Sequence, residues 1–190
     1  MIQYLVFVGA AINIWGAVIY IRDTLRGQTK PNRITWLMWG IAPLIGTTAA
    51  FVDGARWILL PALTTGLCPL IVFVVSFINP NAYWKLTKFD YICGALALAA
   101  LGGWIITSEP LVAVVLAILA DLFAGIPTFI KAWKYPETET GFAYVTAFFA
   151  MLTSFAALQT WSFAEYGFPG YLVLANACLI VAVYRKRLIR

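Results

Sequence analysis

The chain has 190 residues, of which 63% are hydrophobic and 11% are charged, and its formal net charge is +5. This composition excludes an ordinary soluble domain, in which about a quarter of the residues are charged. The chain has no histidine, and its three cysteines all lie in apolar segments, which argues against transition-metal and haem sites.

Seven apolar segments follow one another along the chain. Each has about 16–22 residues, which is enough to cross a hydrocarbon core of about 30 Å as a helix. In chain order they are Ile2–Ile21, Ile34–Phe51, Trp57–Ile78, Tyr91–Thr107, Leu111–Ile130, Gly141–Leu158 and Pro169–Tyr184. The sequence therefore predicts seven transmembrane helices.

The basic residues are distributed unevenly between these segments. Twelve of the thirteen Lys and Arg residues lie in the first, third and fifth gaps and in the C-terminal tail, whereas the other three gaps hold only Arg56. Because basic residues near helix ends are retained on the cytoplasmic side, we expect the N-terminus outside and the C-terminus in the cytoplasm. Anionic lipid at the membrane surface explains these charges without a nucleic-acid partner. The predicted location is the cell inner membrane, with multiple spans in contact with lipid.

The two halves of the chain resemble each other at a nearly constant offset. The matched pairs are Gly16 with Gly125, Ile21 with Ile130, Arg22 with Lys131 and Thr29 with Thr138 at an offset of 109, and Cys68 with Cys178 at 110. Internal repeats of this kind are typical of transporter folds. The offset covers three helices and one more that restores direction, so the repeats are expected to be parallel. The predicted fold is an all-α integral membrane protein in a 3+1+3 arrangement: a triple-helix bundle at 1–80, a linker and inversion helix at 81–109, and a second bundle at 110–190.

One segment carries a family resemblance. Pro127–Gly141 reads Pro-Thr-Phe-Ile-Lys-Ala-Trp-Lys-Tyr-Pro-Glu-Thr-Glu-Thr-Gly and resembles the PQ-loop/SWEET superfamily signature of Pro-Gln, a basic-aromatic stretch and Lys-Ser-Thr-x-Gly. Thr128 replaces the Gln, and in the first repeat Val18 and Ile19 stand where Pro-Gln would be. The resemblance implies two like-oriented triple-helix bundles with the N-terminus outside, transport of a sugar or another small solute, and formation of homo-oligomers.

Polar side chains lie near the middle of several predicted spans. Counting about 1.5 Å per residue places Asn13, Asp121 and Asn176 within roughly 3 Å of one another in depth. Thr65 lies in the same layer, and Ser154 lies slightly outward. A carboxyl at the helix centre costs about 2.5–3.5 kcal/mol on insertion scales, so Asp121 is expected to face the interior or water and to have a partner. We predict that these five residues contact a substrate and that Asp121 is a proton-coupling acid.

The asparagines also have a purely structural interpretation. The resemblance implies a substrate-contacting Asn at mid-depth of the last helix in each bundle, and Asn176 occupies that position, whereas the first bundle has Gly66 near the matching one. Alternatively, Asn13 and Asn176 form interhelical hydrogen bonds worth about 0.6 kcal/mol each. A protonated Asp121 that bonds a single carbonyl is the corresponding alternative for the acid.

Two tryptophans lie deeper in their spans than the others. Six, including Trp36, lie near span ends, where interfacial belts collect Trp whatever the function. Trp15 and Trp39 lie further inside, and each either forms the wall of a pocket for a ring-shaped solute or fills lipid-facing space. Trp39 is included among the predicted substrate contacts.

Prolines interrupt several of the spans. Each removes a backbone hydrogen bond and favours a kink. The family resemblance implies that Pro127 and Pro43 act as hinges for alternating access, although kinked helices also occur in static bundles. The gaps Arg22–Arg33 and Lys131–Thr140 are expected to be solvated loops that set the topology.

The predicted function is that of a carrier or facilitator for a small neutral or weakly charged solute: a sugar, nucleoside, vitamin or amino acid. The predicted pocket layer holds one acid and no Lys or Arg, which argues against a strongly anionic substrate. The alternative is a non-transporting receptor or small-molecule sensor on the same fold. Without paired carboxylates, histidine or a nucleophile–base set, an enzyme is disfavoured, and no cofactor is expected.

Overall fold

The computed structural model describes residues 4–52, 60–107, 109–158 and 160–188. Within these ranges the chain forms seven α-helices and no β-strand. They are α1 (Leu5–Leu25), α2 (Arg33–Val52), α3 (Leu60–Val75), α4 (Lys88–Ile106), α5 (Pro110–Lys134), α6 (Gly141–Ser154) and α7 (Phe163–Leu188). Each helix occupies one predicted apolar segment, and the all-α class is confirmed. The first residues of the first and third predicted segments lie outside the described ranges.

Four of the helices are long and apolar enough to cross a membrane: α1, α4, α5 and the stretch Phe163–Lys186 of α7. Three shorter apolar stretches accompany them in α2, α3 and α6. Helix α6 ends earlier than predicted because the chain continues at Phe155–Ala157 as a 3-10 turn. The protein is therefore a helical membrane protein.

Side-chain caps fix the start of two helices. Thr87 and Asp90 form a capping box at α4, in which the Thr87 hydroxyl accepts from the Asp90 N–H and the Asp90 carboxylate accepts from the Thr87 N–H. Asn32 Oδ1 accepts from the backbone N–H groups of Ile34 and Thr35 at the start of α2. Asn32 Nδ2 also donates to Asp90 Oδ1 at 2.6 Å. The two caps thereby hold the starts of α2 and α4 together.

The helix contacts follow the sequence repeat. Helix α3 packs on α1 and α2, just as α7 packs on α5 and α6, and α1 packs on α6 while α2 packs on α5. Exchanging α1 with α5, α2 with α6 and α3 with α7 turns this set of contacts into itself. Helix α4, which has no counterpart, packs on α5 and α2.

Two glycines permit the close approach of α1 and α6. A Cβ on Gly9 would clash with the side chain of Thr153, and a Cβ on Gly16 would clash with that of Thr146. The two glycines are seven residues apart on α1 and the two threonines are seven residues apart on α6, so each pair lies along one face of its helix. The earlier glycine meets the later threonine, so the two helices are antiparallel. Small residues at such positions let helix backbones pack closely in a membrane.

A buried ion pair lies at the end of the molecule where the chain connects α5 to α6. Lys131 Nζ lies 2.5 Å from Glu139 Oε1, and their side chains are only 2% and 0% exposed. The hydroxyls of Tyr20 and Tyr144 both donate to Glu139 Oε2 at 2.8 Å. We call these four residues the Glu139 cluster. It connects α1, α5 and α6, because each contributes one of its members.

The two matched connecting segments also bond directly to each other. The Lys30 N–H donates to the Thr138 carbonyl at 3.0 Å, and the Thr29 and Thr140 hydroxyls lie 2.5 Å apart. Lys131 Nζ additionally donates to the Lys30 carbonyl. The expectation that both segments are solvated loops is therefore only partly correct: Arg26 and Glu137 are exposed, whereas Thr29, Lys131 and Glu139 are buried.

We expect Gly16→Ala to destabilise the protein, since overpacking a tight contact costs about 1–3 kcal/mol, more than the helix propensity gained. Gly102→Ala is the matched control, because a Cβ there meets nothing within 4 Å. Thermal unfolding in detergent, followed by circular dichroism, measures both. A Gly16→Ala protein as stable as Gly102→Ala would contradict the close α1–α6 contact.

We expect Glu139→Gln to lower the free energy of unfolding by about 3–5 kcal/mol, because it leaves the buried Lys131 ammonium without its counter-charge. The double variant Lys131→Met with Glu139→Gln removes both charges and should recover most of that loss. Glu137→Gln, at an exposed position two residues away, is the control. Chemical denaturation in detergent measures the free energy of unfolding of each variant. If Glu139→Gln is as stable as Glu137→Gln, the ion pair does not stabilise the fold.

Candidate functional site

A cavity of about 560 Å³ lies between α1, α2, α3, α5, α6 and α7. On α1 its lining residues recur every three or four positions, so that one face of the helix borders the cavity. These residues are Val6, Gly9, Ala10, Asn13 and Ala17. The opposite face of α1 carries exposed apolar side chains, including Val8 and Ile14. Such a division is expected for a helix between a solvated chamber and lipid.

The structure brings the predicted substrate contacts together. All six line the one cavity: Asn13, Trp39, Thr65, Asp121, Ser154 and Asn176. Of the two predicted hinge prolines, Pro43 lies inside α2 and lines the cavity, whereas Pro127 lies inside α5 and is buried away from it. Their roles in binding and motion stay predictions, since location alone does not test them.

Asp121 has a partner from another helix. The Tyr171 hydroxyl of α7 donates to Asp121 Oδ2 at 2.9 Å. The indole of Trp39 lies beside the same carboxyl. Sequence reasoning required a partner for this acid but did not find Tyr171. The available signal was a tyrosine within the last span, five residues before Asn176.

Asn176 bonds within its own helix. Its Nδ2 donates to the Leu172 carbonyl one turn earlier, at 2.8 Å. This hydrogen bond is of the kind that polar residues form inside apolar helices, and it does not join α7 to a neighbour. The amide therefore lies in the cavity wall with one N–H of its nitrogen engaged within α7.

Aromatic rings form part of the cavity wall. The lining includes Trp36, Trp39, Tyr144 and Phe168. Trp36 packs between Tyr20, at a centroid distance of 4.4 Å, and Trp39, at 5.6 Å. With only 7% of its surface exposed, Trp36 does not belong to an interfacial belt, and that prediction is wrong. The signal that was missed is its spacing of three from Trp39, which places both rings on one helix face.

The other deep tryptophan lies outside the cavity. Trp15 is 60% exposed and packs edge-to-face on Phe142 at a centroid distance of 5.2 Å. Trp15 was expected either to form a pocket wall or to fill lipid-facing space, and its position on the outer surface of the bundle agrees with the second interpretation. Depth along a helix could not distinguish Trp15 from Trp39, because depth does not give the direction in which a side chain points.

A glycine and a threonine set the position of Trp39. A Cβ on Gly125 would lie 3.3 Å from Trp39 Cζ2, so the absence of a side chain lets the indole reach the α5 backbone. One turn away, the Thr35 hydroxyl donates to the Ala124 carbonyl at 2.6 Å and ties α2 to α5. The ring is thereby held against the helix that carries Asp121.

The Glu139 cluster borders one end of the cavity. Tyr144 belongs to both, because its ring lines the cavity while its hydroxyl donates to Glu139. The two connecting segments that bond to each other lie at this same end, so several described hydrogen bonds join the halves of the chain there. Within the described part of the chain, no three His, Cys, Asp or Glu side chains are grouped so that they could hold a metal ion.

Comparison with models of protein families, with curated proteins and with solved structures gave no match. The function proposed below is therefore inferred from the cavity, the helix contacts and the distribution of charge in this chain.

Proposed function

We propose that this protein is a membrane carrier that moves a small neutral or weakly charged solute by alternating access between two triple-helix bundles. The observation that carries the proposal is a cavity between the two bundles, to which each bundle contributes polar residues near the middle of its helices. Asn13 comes from α1 of the first bundle, while Asp121 and Asn176 come from α5 and α7 of the second bundle. A chamber of about 560 Å³ is within the size range of small-molecule sites.

The helix contacts support the division into bundles. We propose that 1–80 and 110–190 form the bundles and that α4, within 81–109, is the inversion helix. The set of contacts is unchanged when the two halves are exchanged, and α4 falls outside this symmetry. Parallel repeats of this kind are related by an axis along the membrane normal, with the substrate site at their interface.

The cavity reaches towards both membrane surfaces, since Trp36 and Ala143, in the first turns of α2 and α6 at the proposed cytoplasmic side, line it as well. Its lining includes Val6 in the first turn of α1 and Phe168 early in α7, both at the proposed external side. At the other end the Glu139 cluster links Tyr20 of the first bundle with Tyr144 of the second. We therefore propose that the Glu139 cluster closes the cytoplasmic side, with Pro43 and Pro127 as hinges of the movement that opens it.

The proposed setting is the cell inner membrane, with the N-terminus outside and the C-terminus in the cytoplasm. Lipid and the transported solute are the proposed partners, together with further copies of the chain as implied by the family resemblance. The competing proposal is a receptor that binds the solute without moving it. Reconstitution separates the two, since a carrier equilibrates the solute across a liposome membrane while a receptor binds it without flux.

The proposed orientation predicts which cysteines a membrane-impermeant maleimide can reach in intact cells. In a background with the three native cysteines replaced, Glu109→Cys should be labelled, because the connection between α4 and α5 is proposed to lie outside. Glu137→Cys should be protected until the membrane is permeabilised. Both positions are exposed in the protein, so accessibility of the side chain itself is matched. The reverse pattern would contradict the orientation.

The proposed role of Asp121 predicts that Asp121→Asn removes the response of transport to pH. The amide keeps the size of the side chain but cannot take up a proton. Solutes that stabilise the protein in a thermal-shift screen are first identified, and their uptake into proteoliposomes is then measured at several external pH values. Glu109→Gln serves as the charge-matched control outside the cavity. An Asp121→Asn protein with unchanged rate and pH response would exclude proton coupling through this acid.

A further inference from the structure

The charge of the cavity comes from one residue. Among the lining residues that the structure describes, Asp121 is the single acid, and there is no Lys or Arg. The nearby Lys131 is neutralised by Glu139 within the Glu139 cluster. A bound solute therefore meets a site that favours one positive charge, and it meets no cation that would attract an anion.

The aromatic wall favours the same kind of solute. A cation within about 6 Å of a ring face is attracted by the ring quadrupole, most strongly by Trp and more strongly when water is excluded. Two indoles, Trp36 and Trp39, are adjacent in the wall, and Trp39 lies beside the Asp121 carboxyl. A cation paired with Asp121 would therefore lie within reach of the aromatic wall that Trp36 and Trp39 form.

The polar groups of the wall are poorly suited to a solute with many hydroxyls. Several of them are already engaged within the protein: Asn176 Nδ2 bonds Leu172, the Thr153 hydroxyl bonds the Ala150 carbonyl, and Asp121 accepts from Tyr171. Most other lining side chains are apolar. A sugar would leave hydroxyl groups without partners, and buried polar groups in that state are costly.

A hydrogen-bond donor in the wall nevertheless remains unengaged. Trp36, with 7% of its surface exposed, has an indole N–H without a hydrogen bond to any described residue. An oxygen on the solute could accept from such a donor. The site therefore fits a compact apolar cation that also carries an acceptor oxygen.

We propose that the cavity binds a small organic monocation of the choline type, whose ammonium group pairs with Asp121 and contacts the Trp39 indole and whose oxygen accepts from a tryptophan N–H. Its movement across the membrane depends on the proposed carrier function, whereas its binding does not. A quaternary ammonium cannot give up its charge, so the inference concerns cations as such and not protonated amines alone.

The test compares each cation with an uncharged molecule of the same shape. Choline and acetylcholine are paired with their carbon isosteres, in which a quaternary carbon replaces the nitrogen, and binding to the purified full chain is followed by tryptophan fluorescence. We expect each cation to bind at least about tenfold more tightly than its isostere. Asp121→Asn should reduce this preference to within about twofold, while Glu109→Gln, which removes an exposed acid, should preserve it.

The outcomes are distinct. Equal affinity of cation and isostere for the wild-type protein overturns the proposal, even if Asp121→Asn fails to fold, because that comparison needs no variant. A preference that survives in folded Asp121→Asn overturns it as well. If choline binds selectively but does not cross proteoliposomes, the cation site stands and the carrier function fails. If a neutral solute is transported while neither cation binds selectively, the carrier function stands and the cation site fails.

Discussion

The arrangement of the helices depends on a carboxylate and an ammonium that are both removed from water. Neither Glu139 nor Lys131 could be buried alone, because an unpaired charge inside a protein is strongly unfavourable. Their pairing is completed by two tyrosine hydroxyls that arrive from different helices. The requirement to satisfy one carboxylate therefore draws α1, α5 and α6 together at one end, while the other end has no comparable set of bonds among the described residues.

The cavity lies where the helices are prevented from packing fully. At the α1–α6 contact glycines let the backbones approach, but at the related α2–α5 contact a whole indole occupies the interface, seated on Gly125. The aromatic wall, the carboxyl and the asparagines meet beside this wider contact. Tyr144 connects this chamber to the Glu139 cluster, because its ring lines the cavity and its hydroxyl donates to Glu139.

The positions of the helices could be predicted from the sequence, because the length of an apolar segment depends on the bilayer and not on the neighbours of each residue. Depth also follows, which is why Asn13, Asp121 and Asn176 could be expected at one level. The rotation of each helix could not be predicted, so Trp36 was placed at the lipid interface although it points inward. The partner of Asp121 is 50 residues away, and that of Glu139 on α1 is 119 residues away.

The internal symmetry is exact enough to define the scaffold but is broken inside the chamber. At the offset of the repeat, Asp121 corresponds to Ile12 and Trp39 to Phe148. A dimer of identical half-length chains would carry two carboxyls facing each other across its axis. A single chain with diverged halves can keep one carboxyl, so the two sides of the chamber differ, and the bundle has to accommodate one acidic side chain there and not two.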